Sequence, residues 1–166
     1  MRATRHYLDA NATEPLRPEA REAVVAAMGA TGNPASVHNE GRGARRLLED
    51  ARDLVAARFG ARPEHVVFTS GATEANALAL HAFAGGRAPI VCATEHDSVR
   101  ANAPTARVLA VNSDGVADLD ALDALLAERP ALVCLMLANN ETGTLQPVAE
   151  AAALCRRHGA ALHVDA

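Results

Sequence analysis

The sequence contains no lysine: all 16 of its basic residues are arginines, set against 20 acidic residues. A guanidinium stays protonated at any working pH, so the chain offers no side-chain primary amine that could condense with a carbonyl group. Tryptophan is also absent, and aromatic residues make up 2% of the chain with a formal charge of −4. Neither the basic stripe nor the stacking platforms of a nucleic-acid binder are present, so no nucleic-acid partner is expected. Cysteine is scarce. Cys92, Cys134 and Cys155 are odd in number, far apart and set in apolar segments, which argues against a disulfide framework or a metal site and leaves them as small core residues. The longest uninterrupted apolar run, 131–138, falls far short of the roughly 18 to 20 residues of a spanning helix, so no membrane partner is expected either. The opening Met1 Arg2 Ala3 Thr4 Arg5 His6 leads into Tyr7 and polar positions rather than an apolar export core, and a cytoplasmic home is expected.

What is present is ordinary globular material: 166 residues, 49% hydrophobic and 22% charged, enough for one core. Pro18 opens a helical stretch with Val24, Ala27 and Met28, closed by Gly29. A second helix carries Ala44, Leu47, Leu48, Ala51, Leu54, Val55 and Phe59 at spacings of three and four, stops at Gly60, and should bury one stripe. Between the two lies a loop, Gly32 to Ser36. Thereafter short apolar runs at 66–69, 90–93, 108–111, 132–137 and 161–164 read as strands. They alternate with helical patterns at 74–84, at 119–128 after the cap Asp118, and at 148–158 between Pro147 and Gly159. That alternation predicts an α/β fold with a mostly parallel sheet and flanking helices.

In such a sheet, ligands bind beyond the carboxyl ends of the strands. The expected strand ends lead into Ser70 Gly71 Ala72 Thr73, into Thr94 Glu95 His96, into Asn139 Asn140 Glu141 Thr142 Gly143, and into Asp165. Each alone has a bland explanation: small residues cap helices, most histidines are unremarkable, and Asn-Gly-rich stretches make turns. Together they supply a phosphate cradle at a helix N-terminus, a flat imidazole, an amide donor and a carboxylate. The carboxylate follows an apolar strand and needs a partner. These groups match four faces of pyridoxal 5′-phosphate: its phosphate, its ring, its phenolate oxygen and its ring nitrogen. Neither a Walker pattern nor a GxGxxG occurs, which counts against nucleotide-binding readings.

The strings YLDANAT, GNPASVH, VVFTSGATEAN, TEHDSV, ANNETG and HVDA, in this order, resemble the first half of the cysteine desulfurases within the class V aminotransferases. The resemblance implies the large domain of a fold type I PLP-dependent transferase, with a mixed, mostly parallel sheet that is incomplete in this chain. It divides the chain into an N-terminal extended segment, 1–15, and an incomplete large PLP-binding domain, 16–166, with the small domain absent. It also implies a homodimer, L-cysteine as substrate, and a sulfur-acceptor protein, with iron-sulfur cluster assembly as one destination of the sulfur. Carried over by residue, Gly71, Ala72 and Thr73 would bind the phosphate, Asn140 the phenolate oxygen and Asp165 the ring nitrogen. His96 would stack on the ring and move protons as the catalytic residue. Glu14 departs from the Thr usual at that place, and Cys92 is not the family's nucleophile by this match. The family's cofactor-anchoring Lys follows a Ser-x-His motif after the Asp, and its persulfide-bearing Cys lies further on; neither is in this sequence, so this polypeptide is expected to be inactive alone. Alternatives are a selenocysteine lyase, another class V enzyme, or an inactive fragment serving as a binding or dimerisation module.

Overall fold

The computed structural model describes residues 6–10 and 13–166; Asn11 and Ala12 of the YLDANAT string, and residues 1–5 of the expected N-terminal extended segment, lie outside the described residues. The chain falls into two compact units, one ending at Phe68 and the other running from Thr69 to Ala166.

The first unit holds α1 (Pro18–Met28) and α2 (Asn39–Phe59), followed by a 3-10 turn at Pro63–His65. Pro18 sits at the first helical position of α1, as its fixed φ favours, and Gly60 closes α2 in the left-handed conformation. The expected buried stripe of α2 does not form: only Gly41 and Ala56 are buried, and Leu54 and Phe59 are largely exposed. The residues have helical spacing, but no second apolar surface covers them within this unit. The expected strand at 66–69 is also not formed. A strand exists only with a hydrogen-bonding neighbour, and Val66 is instead held by the Arg52 guanidinium, which donates to its carbonyl and lies 5.1 Å over the Phe68 ring.

The second unit is a three-layer α/β/α sandwich. Its strands are β1 (Ile90–Cys92), β2 (Arg107–Leu109), β3 (Leu132–Cys134) and β4 (Ala161–His163), ordered β2-β1-β3-β4. All three pairings are parallel. Alternate residues face opposite layers. Ile90, Cys92, Leu109, Val133 and Leu135 pack with Leu122 and Leu126 of α5 (Leu119–Leu126) and with Ala151 and Cys155 of α6 (Val148–His158). On the other face Val91, Leu132 and Cys134 meet Leu80 of α3 (Ala72–Phe83), Val99 of the short α4 (Asp97–Arg100), and Ala103. All three cysteines are free and buried in these layers. Ladder bonds continue past the named strands, with the N–H of Leu137 donating to the carbonyl of Asp165 at 2.9 Å. This extension places Asp165 opposite the exit of β3.

Candidate active site at the strand ends

Consider first the helix that follows the small-residue turn. α3 starts at Ala72 with Gly71 before it, and no side chain caps this end through Gly71, so its first N–H groups point outward without intrahelical partners. Gly71, Ala72 and Thr73 are exposed, and a side chain at Gly71 would meet nothing within 4 Å. The turn is open to an anion. One carboxylate already stands beside it: Glu74 Oε2 accepts from both the N–H and the hydroxyl of Ser70, each at 2.6 Å. The Ser70 hydroxyl and then its N–H hold the Glu74 carboxyl below its usual range.

One turn into α3, the buried Asn76 reaches three residues at once, on α4 and at the end of β4. Its Nδ2 donates to Asp165 Oδ2 at 3.0 Å and to Ser98 Oγ at 2.9 Å, and its Oδ1 accepts from His163 Nε2 at 2.8 Å. Ser98 in turn contacts His96: its Oγ lies 2.8 Å from His96 Nδ1, and its backbone N–H donates to the same nitrogen at 3.1 Å. Nδ1 thereby caps α4. His96 and Asp165, two residues singled out from the sequence, are therefore joined through Ser98 and Asn76. Burial pushes the His163 imidazole below its ordinary pKa, and the charge of Asp165 partly opposes that.

Glu95 lies inside this edge at 3% exposure. Its Oε1 accepts from the N–H of Met136 at 2.6 Å, while Oε2 is buried without a hydrogen-bond partner. Burial is the main reason its carboxyl is pushed up to about 7; the Met136 bond opposes the shift and the Asp165 charge adds to it. The loop after β3 is tied to the same edge by Asn139, whose Nδ2 donates to the Thr94 carbonyl at 3.2 Å and whose Oδ1 accepts from the N–H groups of Glu141 and Thr142. Asn140 sits exposed on this loop.

Gly71, Ala72, Thr73, His96 and Asp165 are thus carried by elements that meet at one end of the parallel sheet. The Asn140 loop is fastened there through its neighbour. Asn76, Ser98, Glu95 and His163 have roles that motif reading did not assign, although spacing held clues. Ser98 is two residues beyond His96, at the second position of the helix that His96 caps, and His163 is two before Asp165, hence on the same side of an extended chain.

The residues present suit pyridoxal phosphate. They comprise an uncapped helix end open at Gly71 for a dianion, a half-buried carboxylate held by an amide for a protonated ring nitrogen, and an exposed imidazole linked to that carboxylate through Ser98 and Asn76. No group of three or more His, Cys, Asp or Glu suited to a metal ion occurs among the described residues.

Comparison with known proteins gives the family. Residues 6–166 match the family described as aminotransferase class-V. A cysteine desulfurase of Cereibacter sphaeroides is 42% identical over 98% of this chain and 46% of its own length. A selenocysteine lyase of Bos taurus is 40% identical over 87% of this chain and 40% of its own. The solved structure of a NifS-like protein from Rickettsia africae superposes with a TM-score of 0.87 at 36% identity, covering 96% of this chain and 47% of that one. The chain spans about half the length of the relatives it matches. The architecture is that of the large domain of fold type I enzymes, and the family implies pyridoxal 5′-phosphate as cofactor. The chain belongs to the class V aminotransferase family.

Proposed function

We propose that this chain is the N-terminal, cofactor-binding portion of a cytoplasmic cysteine desulfurase, which takes sulfur from L-cysteine, leaves L-alanine and passes the sulfur on as an enzyme persulfide to an acceptor protein, for iron-sulfur cluster assembly among other uses. The observation that carries this reading is the hydrogen-bonded link between His96 and Asp165, within a chain whose relatives include named cysteine desulfurases. Pyridoxal phosphate, when bound, supplies an electron sink that stabilises negative charge at the substrate α-carbon. Asp165, held by Asn76, would keep the ring nitrogen protonated, which is what makes that sink effective. The N–H groups at the start of α3 and the Thr73 hydroxyl would take the phosphate, and Asn140 would donate to the phenolate oxygen. His96 would stack on the ring and exchange a proton with the substrate. The whole enzyme would be a homodimer.

The sequence holds no lysine, so no side chain among these residues can anchor the cofactor as a Schiff base. Binding and catalysis should therefore separate in this polypeptide. A titration of the 166-residue chain with pyridoxal phosphate, followed by absorbance, should saturate and reverse on dialysis, and Asp165→Ala should weaken it. After borohydride reduction, mass spectrometry should find no adduct on an internal residue, and L-cysteine should yield no sulfide above free cofactor. Supplying in trans the remaining half of the Cereibacter sphaeroides relative should restore sulfide release. Failure of the wild-type chain to bind the cofactor at all, or equal binding by Asp165→Ala, would refute the site. The Bos taurus relative keeps selenocysteine lyase as the second reading, distinguished by comparing selenide with sulfide release in the same reassembled sample.

A further inference from the structure

We propose that Asn76 and Ser98 are positioning residues that hold His96 in a single tautomer, with its proton on Nε2, by coupling the ring to the carboxylate of Asp165. The chain of reasoning starts at Asp165, because an ionised carboxylate can only accept. The Asn76 atom 3.0 Å from Asp165 Oδ2 must then be the amide nitrogen, which settles the orientation of the amide. Its oxygen consequently faces His163 and takes the proton of Nε2 at 2.8 Å. The second N–H of the amide points at Ser98 Oγ, 2.9 Å away. Having accepted there, the serine hydroxyl directs its own hydrogen to His96 Nδ1 at 2.8 Å. The backbone N–H of Ser98, which can only donate, converges on the same nitrogen at 3.1 Å. Two donors at one ring nitrogen leave no place for a proton, so the neutral ring carries it on Nε2.

The linkage is dry enough to hold: Asn76 is 3% exposed and Ser98 8%, so water is poorly placed to substitute for either. Its bearing on the cofactor rests on the reading of His96 given above. In that reading Nδ1 is closed by Ser98, so the neutral ring presents Nε2–H as a hydrogen-bond donor and takes up a further proton only where Nδ1 gives up its two donors. Asp165, at the far end of the linkage, sets which ring nitrogen holds the proton.

The tautomer is observable without cofactor or activity. Long-range proton–nitrogen correlation spectra of the 15N-labelled full chain, recorded at alkaline pH where imidazoles are neutral, should show His96 in the Nε2–H pattern alone. Ser98→Ala should introduce a measurable Nδ1–H population at His96, and Ser98→Thr, which keeps the hydroxyl, should restore the wild-type pattern. Asn76→Leu should also mix the His96 tautomers although it does not touch the ring. Unchanged backbone amide spectra away from the site certify the fold of each variant. An Nδ1–H pattern for His96 in the wild type overturns the proposal outright. An unmixed pattern in both folded Ser98→Ala and folded Asn76→Leu overturns it as well, since the backbone N–H alone would then be fixing the ring. Because no cofactor is present, neither result depends on the outcome of the pyridoxal phosphate titration.

Discussion

Glu95 shows how one residue can set a pH dependence for a whole domain. Folding moves its carboxyl out of water and beside Asp165, raising it from an ordinary 4.5 to about 7. The folded state therefore holds this proton more tightly than the unfolded chain does. Below the unfolded value both states are protonated and the group costs nothing; as pH rises through the window from about 4.5 to about 7 the unfolded chain gains stability that the folded one is denied. At 1.36 kcal/mol per unit, the full effect is about 3 kcal/mol against folding above that window. Glu95→Gln keeps an oxygen to accept from Met136 and removes the titration. In urea melts, the variant should match the wild type near about pH 4 and exceed it by about 2–3 kcal/mol near about pH 8. Parallel curves for the two proteins would show that Glu95 does not titrate in this window. The difference between the curves is the quantity to use, since His163, depressed by burial, acts with the opposite sign as pH falls. At a simpler residue, Asp118 caps α5 by accepting from the N–H groups of Asp120 and Ala121, both at 3.0 Å. Asp118→Ala should lower stability by about 1 kcal/mol in the same melts.

Among the elements, the helices set by their own residues and the four paired strands β1 to β4 were legible from the sequence, whereas whether a given apolar segment finds a neighbour was not. α6 runs Val148–His158, the span expected from Pro147 and Gly159, because a helix closes its own hydrogen bonds and local residues set its ends. The Asp118 cap was legible for the same reason. The segment at 66–69 has the apolar, β-branched composition of a strand, yet composition cannot supply the ladder partner that makes one. The stripe of α2 likewise had correct spacing and no cover within its unit. The loop before α2 shows the opposite case, in which close approach restricts a residue type. Gly32 has φ +146°, and a Cβ there would lie 2.3 Å from the Glu40 carbonyl oxygen; a Cβ at Gly41 would lie 2.5 Å from that of Ser36. Both obstacles are backbone. Gly41→Ala should therefore push the Gly32–Ser36 loop away from the start of α2, which limited proteolysis should register as faster cleavage there with the second unit untouched; equal cleavage rates would show that the loop already stands clear of the helix.

At the scale of the molecule, the second unit has apolar side chains packed on both faces of its sheet, whereas the first leaves its apolar residues uncovered. Met28 is 80% exposed, Leu54 73% and Phe59 80%. In the second unit β2 and β4 are edge strands, and Val108 on β2 is 66% exposed. Exposed helical stripes and unpaired edges favour association. Sedimentation of the 166-residue chain should give species larger than a monomer, shifting toward monomer when Leu54 and Phe59 are both replaced by Ser. A monodisperse wild-type monomer would mean that these side chains find cover within the chain in solution. No helix among the described residues is long and apolar enough to cross a membrane, so a lipid bilayer is not the cover for these helices as spanning segments.

The sequence by itself determined the alternation of short apolar runs and capped helices, hence a parallel α/β fold, and placed Gly71, Ala72, Thr73, His96, Asn140 and Asp165 in segments that follow expected strands. These properties repeat or terminate over a few residues, so they can be read along the chain. Only the tertiary structure decided that Asn76 joins Asp165 and His163 to Ser98 and His96, and that Glu95 is buried with an unpartnered oxygen. Asn76 and Asp165 are 89 positions apart, and a hydrogen bond across that distance depends on strand order and register. Those are set by how the faces of the sheet are filled, a property of all the elements together and of no single one of them.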